Sequence, residues 1–371
     1  MPDRSIRQQV LSQARRVLVK VGTHGICSTG GGLDRGTIRG LARQIAALRK
    51  DGRSVTLVVS GAIGAGMSEL RLAERPRNMP HLQATAAIGQ CELMETFRAM
   101  FAHLGVAVGQ VLLTRDDFED RTRYLNIRNT LGALDELGAL AIINENDAVA
   151  VDEIRYGDND IIAAHVANMV GADVLIFLTS VDGVMDGRSV IDVVRDVDDE
   201  TMELATRERT LLGSGGMASK IAAAGMVTRA GEIAVVANAR TPKVLTRILE
   251  GKRLGTLFVP APRKLSSRRR WIGQASRPAG KLLVDEGAAL ALTDQGKSLL
   301  PTGVTAVEGK FAKGATVAIL DPSRKEIARG LTNYDADQLQ RIKGLRTHQI
   351  AQVLGDKPYD EVVHRNNMTM K

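Results

Sequence analysis

Ser54-Val55-Thr56-Leu57-Val58-Val59-Ser60-Gly61-Ala62-Ile63-Gly64-Ala65-Gly66 passes from an unbroken apolar run into a glycine-rich turn. Continuous rather than alternating apolar residues read as a strand buried on both faces. Glycine breaks it, and the chain re-enters a helix whose first amide groups favour an anion. Just upstream, Leu33–Lys50 places Ile38, Leu41, Ile45 and Leu48 on one face at helical spacing, with Asp34 available as its cap. The unit is helix, buried strand, glycine turn, helix.

Outward from this stretch the same unit repeats. Arg16–Val21 is a short apolar strand ending in Gly22, and residues 81–104 read as a long helix with Leu93, Phe97, Phe101 and Leu104 as its stripe. Val106–Leu113 is a strand, and Tyr124–Leu137 a helix with Ile127, Leu131 and Leu134 inward. Ala139–Ile143 and Val174–Leu178 are apolar strands separated by a helix near Ile161–Val170. An irregular segment at 181–200 precedes a helix opening near Met217 and a strand at Ile233–Val236. Repeated βα units imply an α/β fold with a mostly parallel sheet covered by helices on both faces. At Pro260 the character changes. Short β segments follow at Lys281–Val284, Val304–Val307, Thr316–Leu320 and Ile327–Ala328, punctuated by Gly303, Gly309, Gly314 and Gly330. They predict a small, separate β-rich domain of barrel type.

Composition agrees with two folded domains. The 371 residues are 44% hydrophobic and 25% charged, which excludes a disordered chain. Aromatics are only 3%, so the core rests on Ala, Val, Ile and Leu. The two cysteines, Cys27 and Cys91, form no metal pattern and read as reduced thiols. Met1–Arg16 lacks the apolar run of a signal peptide, and no stretch approaches a membrane span, so a cytoplasmic protein is expected. The net charge of +8 suits nucleic acid or a polyanionic small molecule. Its densest run, Arg263, Lys264, Arg268, Arg269 and Arg270, reads as a solvated connector.

Ligands of open α/β sheets bind at the carboxyl ends of the strands, so the residues there matter most. The first strand carries Lys20 and ends in Gly22-Thr23, and a lysine beside a glycine can meet phosphate oxygens. The second ends in Ser60–Gly66. The fourth ends in Asn144-Glu145-Asn146-Asp147, followed by Gly157-Asp158-Asn159-Asp160. Later, Gly213-Ser214-Gly215-Gly216-Met217-Ala218-Ser219-Lys220 leads into a helix as a second glycine-rich cradle with its own lysine. Singly, each is as well explained as a turn, and Asp147 as a turn cap. Neither glycine segment has the dinucleotide or Walker A spacing. The force lies in the combination: two lysines, two glycine-rich turns and two acidic clusters, all at strand ends of one sheet.

The set VKVGT, VSGAIGAG, INENDAV, GDND and GSGGMASK resembles the amino acid kinase family, and within it the kinases that act on the side-chain carboxylate of glutamate. GKLLVDEGA at 280–288 and SLLPTGV at 298–304 resemble a PUA domain. The resemblance covers about residues 14–350. It implies a three-layer αβα sandwich at 14–260, a basic linker at 261–276, a barrel-like PUA domain at 277–352 and a tail of unknown role at 353–371.

By resemblance, Lys20 and Lys220 neutralise the transferring phosphoryl group of ATP and Asp160 holds both ammonium groups. Ser60, Asp147 and Asn159 match the positions that bind glutamate. Thr179, Ser180, Ser214, Gly215, Gly216, Met217, Ala218, Ser219 and Lys220, with Lys20, match those that bind ATP. The family has an acidic residue where this chain has Ser180, and a tyrosine and an Asp-Pro pair that 181–188 lacks. Mg²⁺ is expected on the ATP phosphates rather than in a dedicated protein cage. The nucleophile is the substrate's own carboxylate, so none of the six histidines is needed as a base, and His24 and His165 read as structural. The product, γ-glutamyl phosphate, implies a downstream reductase in proline biosynthesis. The family also brings feedback by proline and assembly as dimers or tetramers as expectations. Two other readings stay open: a related kinase acting on N-acetylglutamate or aspartate, and an RNA-binding protein built on the PUA domain and the basic charge. No aromatic stacking set accompanies Arg268–Arg270, which speaks against the last.

Overall fold

Strand β1 (Arg16–Val21) is apolar at every buried position but one, Lys20, and it stands fourth in an eight-stranded sheet ordered β3-β4-β2-β1-β5-β9-β10-β8. The other strands are β2 (Ser54–Val59), β3 (Val108–Leu113), β4 (Leu140–Glu145), β5 (Val174–Thr179), β8 (Val193–Val194), β9 (Ile233–Asn238) and β10 (Thr256–Phe258), with β6 (Met185–Asp186) and β7 (Ser189–Val190) pairing apart as a ribbon. From β3 to β9 every pairing is parallel, and β10 runs antiparallel to β9. This computed structural model describes residues 2–28, 32–150, 158–198, 201–203, 216–262, 264–356 and 358–371. The chain forms two compact units, Met1–Asp117 with Thr122–Lys264, and Leu265–Lys371 with Phe118–Arg121.

In the first unit the helices are α1 (Pro2–Leu11), α2 (Thr23–Ile26), α3 (Arg35–Lys50), α4 (Ala62–Glu69), α5 (Met79–Ala102), α6 (Asp116–Glu119), α7 (Arg121–Glu136), α8 (Asp158–Val170), α9 (Gly216–Arg229) and α10 (Val244–Leu249); the ends of α6 and α7 reach into Phe118–Arg121. Strand alternation divides the sheet into two faces. Val17, Val19, Val21, Leu57, Val59 and Ile142 form one buried cluster with Ile38, Leu41 and Ile45 of α3, Leu93, Phe97 and Phe101 of α5, and Val244 and Ile248 of α10. Each such side chain contributes roughly 1.5–3 kcal/mol of burial. Leu18 and Lys20 point to the opposite face, where α8 packs on β1 and β5 and against α9. This is the three-layer αβα sandwich.

Local signals placed most elements well. Asp34 caps α3 by accepting from Thr37 N at 3.0 Å, as expected. The stripe of α5 holds for Leu93, Phe97 and Phe101 but not Leu104, because the helix ends at Ala102 and Leu104 is 37% exposed. On α7, Leu131 is buried while Ile127 and Leu134 are only half-buried.

The second unit carries a mixed five-stranded sheet, β12-β11-β13-β14-β15, built from β11 (Gly280–Val284), β12 (Val304–Gly309), β13 (Thr316–Leu320), β14 (Glu326–Thr332) and β15 (Val363–Met370). Leu282, Val284, Ile319, Tyr334 and Leu339 share its core. Within residues 353–371, Val363–Met370 supplies the edge strand β15, antiparallel to β14. The basic run is not solvated throughout. Ser267–Arg270 is a helix in which Arg270 is 6% exposed, and Lys264 lies 3.4 Å from Asp173. Trp271 Nε1 donates to Phe118 O at 3.1 Å, which ties Phe118–Arg121 to this unit.

No helix among the described residues is long and apolar enough to cross a membrane. Cys27 is buried and Cys91 exposed, both as free thiols.

Candidate active site

Because β4, β2, β1, β5 and β9 are parallel neighbours, their carboxyl ends form one continuous edge. Ser60 N donates to Val21 O (3.1 Å), Gly22 N to Leu178 O (3.2 Å) and Ala239 N to Thr179 O (2.8 Å), stitching that edge just beyond the strands. Ser60 and Asp147 therefore fall on the β2–β4 side of β1. Thr179 and Ser180 fall on its β5 side, and Lys20 stands between the two groups.

Lys20 is brought to Asp160 and Lys220 on the α8–α9 face. Asp160 Oδ1 lies 2.7 Å from Lys20 Nζ and Oδ2 lies 3.1 Å from Lys220 Nζ. All three side chains are buried, Asp160 at 1% exposure. Lys220 Nζ also donates to Gly216 O at 2.9 Å. Burial lowers the Lys20 pKa, opposed by Asp160 and reinforced by Lys220. For Asp160 burial acts upward, but the two ammonium groups and their hydrogen bonds outweigh it and hold the carboxyl below its ordinary range. Two cations share one anion, so the cluster keeps one uncompensated positive charge. A Cβ on Gly22 would sit 3.6 Å from Lys20 Nζ, and one on Gly216 3.9 Å from Lys220 Nζ. Bare backbone thus borders both ammonium groups, which is the surface a phosphate oxygen requires.

On the β4 side, Asp147 follows the strand in a turn held by main-chain bonds from Val149 N and Ala150 N to Asn146 O. Its half-buried carboxylate makes no hydrogen bond to the described residues. Burial raises its pKa from 3.8 to about 6, partly offset by Arg75. Asn159, the residue before Asp160, donates from Nδ2 to Asn144 Oδ1 (3.0 Å) and accepts at Oδ1 from Glu145 N (3.2 Å). Asn144 itself is a functional candidate that motif reading left inside a polar tetrad. The signal for it was an Asn as the fifth residue of the buried strand Leu140–Glu145.

On the β5 side, Thr179 is half-buried and Ser180 exposed. Asn238, at the end of β9, donates from Nδ2 to Asp182 Oδ1 (2.9 Å) and to Ser180 O (3.4 Å). An acidic side chain therefore does stand at this edge, two positions after Ser180. Gly216, Met217, Ala218, Ser219 and Lys220 form the first turn of α9, while Ser214 and Gly215 lie outside the described residues.

The glycine turn divides its work. Gly61 caps α4 at φ +107°, a conformation open to glycine. Gly66 is not part of a phosphate turn. A Cβ there would meet Thr85 O at 1.9 Å, and one on Gly89 would meet Ala62 O at 1.8 Å, so these residues let α4 and α5 touch backbone to backbone. His165 is buried on α8, and burial, then Arg115, pushes its pKa down to about 4, which keeps it neutral. A cavity of about 960 Å³ opens on the α3 face, rimmed by Arg43, Arg240 and Lys243; Lys20, Asp160 and Lys220 do not line it.

Residues 15–238 match the amino acid kinase family, and residues 280–354 match the PUA domain. A glutamate 5-kinase from Caldanaerobacter subterraneus subsp. tengcongensis is 46% identical over 362 residues, covering 96% of this chain and 97% of that protein. Glutamate 5-kinases from Moorella thermoacetica and Syntrophus aciditrophicus are 45% and 44% identical over 375 and 371 residues. These cover 99% and 98% of this chain, and 99% and 96% of the relatives.

Proposed function

The chain belongs to the amino acid kinase family, and we propose that it acts as a glutamate 5-kinase, moving the γ-phosphoryl group of ATP to the γ-carboxylate of L-glutamate as the first step of proline biosynthesis. The observation that carries this reading is the buried Lys20–Asp160–Lys220 cluster at the junction of two differently furnished halves of one sheet edge.

The acceptor carboxylate is ionised at neutral pH, its ordinary pKa being about 4.3, so no base has to be recruited. Transfer needs alignment of carboxylate, phosphorus and leaving oxygen, and charge stabilisation that grows along the reaction. Lys20, between the substrate and nucleotide sides, bears on the bridging region of the phosphates. Lys220, at the head of α9, bears on the transferring group and the oxygen that leaves with ADP. Asp160 is the shared counter-charge of both ammonium groups and holds them in place.

Asp147 supports free glutamate over its N-acetyl counterpart. A carboxylate raised to about 6 and lacking a hydrogen bond gains most from a cation, and the α-ammonium of glutamate supplies one. A neutral amide would leave it with Arg75 as its nearby cation and bring no second one. Ser60 and Asn159 complete the substrate side, and Thr179, Ser180 and residues 214–220 the nucleotide side.

Mg²⁺ enters with ATP. Both oxygens of Asp160 already face ammonium groups. That arrangement fits a metal carried on the phosphates, where it would neutralise part of the polyphosphate charge. The product is an acyl phosphate that cyclises readily in water, so a reductase that consumes it promptly is its natural successor.

ATP-dependent hydroxamate formation across a panel of acids tests the reading. Glutamate should be the strongly preferred acceptor; preference for N-acetylglutamate or aspartate would overturn it.

A further inference from the structure

Helix α5 reaches the β4 turn at two points. Gln83 Nε2 donates to Ala150 O at 3.1 Å, and Gln90 Oε1 accepts from Asn144 Nδ2 at 2.7 Å. Seven residues are two helical turns, so both glutamines lie on one face of α5, one gripping the strand end and the other the far side of the turn. Asp147 is carried between these two grips.

From Asn144 the chain of amides continues. Its Oδ1 accepts from Asn159 Nδ2 (3.0 Å) and from Glu145 N (2.9 Å), so its own NH₂ has to find an acceptor elsewhere. Gln90 Oε1 is that acceptor. Asn144 is 2% exposed, which leaves water little access as a substitute. Were Asn144 flipped, its NH₂ would face two donors. Gln90 Nε2 is buried without a hydrogen-bond partner among the described residues, where the side chain is oriented through its oxygen. The network therefore starts on α5, crosses the carboxyl end of β4, and ends on α8 at the residue next to Asp160.

We propose that Gln90 is a positioning residue of the phosphoryl-acceptor site: through Asn144 it sets the amide orientation of Asn159 and the seat of the turn bearing Asp147, without touching glutamate itself. The proposal rests on the reading that Asn159 and Asp147 bind glutamate.

Gln90→Leu removes the acceptor, and steady-state kinetics should show KM for glutamate raised roughly ten-fold, the worth of one buried hydrogen bond. KM for ATP and kcat should stay within about three-fold. Gln90→Glu retains an acceptor oxygen and should restore KM for glutamate to within about three-fold of the parent. In an Asn159→Ala background, Gln90→Leu should cost clearly less than it does alone, because the branch of its action that runs through Asn159 is already cut and only the branch to the Asp147 turn is left. If Gln90→Leu does not fold, Gln90→Met, unbranched and of similar length, replaces it.

Three results overturn the proposal while leaving the site reading intact. They are an unchanged KM for glutamate in Gln90→Leu, equal losses for both substrates, and full additivity with Asn159→Ala, each with Asn159→Ala itself impaired for glutamate. A normal KM for glutamate in Asn159→Ala overturns the site reading, and the proposal with it.

Discussion

Lys20 Nζ lies 2.7 Å from Asp160 Oδ1, inside a buried cluster where the same carboxylate also serves Lys220. One anion between two cations is an unfinished charge balance. Buried charge is costly unless compensated, so the cluster is stable enough to fold yet primed for a further anion. On the proposed function, ATP phosphates supply it.

Removing Asp160 should be worse for the fold than removing either lysine. Asp160→Ala leaves two buried ammonium groups facing each other, and stripping one partner from a buried pair costs roughly 3–5 kcal/mol. Urea unfolding measures this loss, and Lys20→Met combined with Asp160→Ala should recover part of it. A loss below about 1 kcal/mol for Asp160→Ala would mean the carboxylate is not the cluster's counter-charge.

The lysines should show themselves in turnover. Lys20→Met and Lys220→Met each remove charge stabilisation that increases toward the transition state, so kcat should fall by roughly 10²-fold or more, with KM for glutamate changing far less. Near-normal kcat in either variant removes that lysine from the chemistry.

Asp147 should trade stability for binding. Its pKa stands at about 6 against an ordinary 3.8, raised by burial, so its ionised form weighs against the unliganded fold above about pH 6. That cost fades as pH falls through 6 toward 3.8. The rise bounds the cost at about 3 kcal/mol, and partial exposure brings it to roughly 1–2 kcal/mol. Asp147→Asn should therefore raise the Tm of the unliganded protein at pH 8, with the gain vanishing near pH 4. The same variant should raise KM for glutamate about ten-fold or more. In the parent, KM for glutamate should climb as pH drops through 6, because the protonated carboxyl no longer pairs with the ammonium. A Tm that falls together with an unchanged KM would return Asp147 to a turn cap.

Gly66→Ala and Gly89→Ala should each force α4 off α5, since the added carbon would sit within 2 Å of a carbonyl oxygen. Overpacking of this kind costs typically 1–3 kcal/mol or more. Because Ser60 and Gly61 lead directly into α4, KM for glutamate should rise alongside the loss of Tm. Thermal denaturation and kinetics on the two variants check this, and two silent substitutions would refute the close contact.

Much of the architecture was legible along the chain. Arg16–Val21, Ser54–Val59 and Val174–Leu178 announced β1, β2 and β5, because a continuous apolar run next to glycine or aspartate is a local signature. Asp34 as a cap is equally local. Leu104 was misread because apolar spacing continues past the point where the helix geometry stops. Gly66 was misread because a glycine serving a phosphate and one serving a helix contact look alike until the second helix is in view. Gln90 was invisible, since nothing near it in sequence marks a glutamine that meets Asn144 from another element.

The sequence alone determined the kinds of element, their order along the chain, and the presence of two lysines, two glycine-rich segments and two acidic clusters. Those follow from free energies that act over a few residues: side-chain burial by period, capping and backbone freedom. Only the tertiary structure decided that β1 lies between β2 and β5, which sets Lys20 between Ser60 and Asp147 on one side and Thr179 and Ser180 on the other. It also decided that Asp160 reaches both lysines, that Asp147 is left buried enough to reach a pKa of about 6, and that an amide chain from Gln90 ends at Asn159. These properties depend on which distant groups meet and how much water they exclude. Desolvation and charge pairing exist only once the sheet has been assembled.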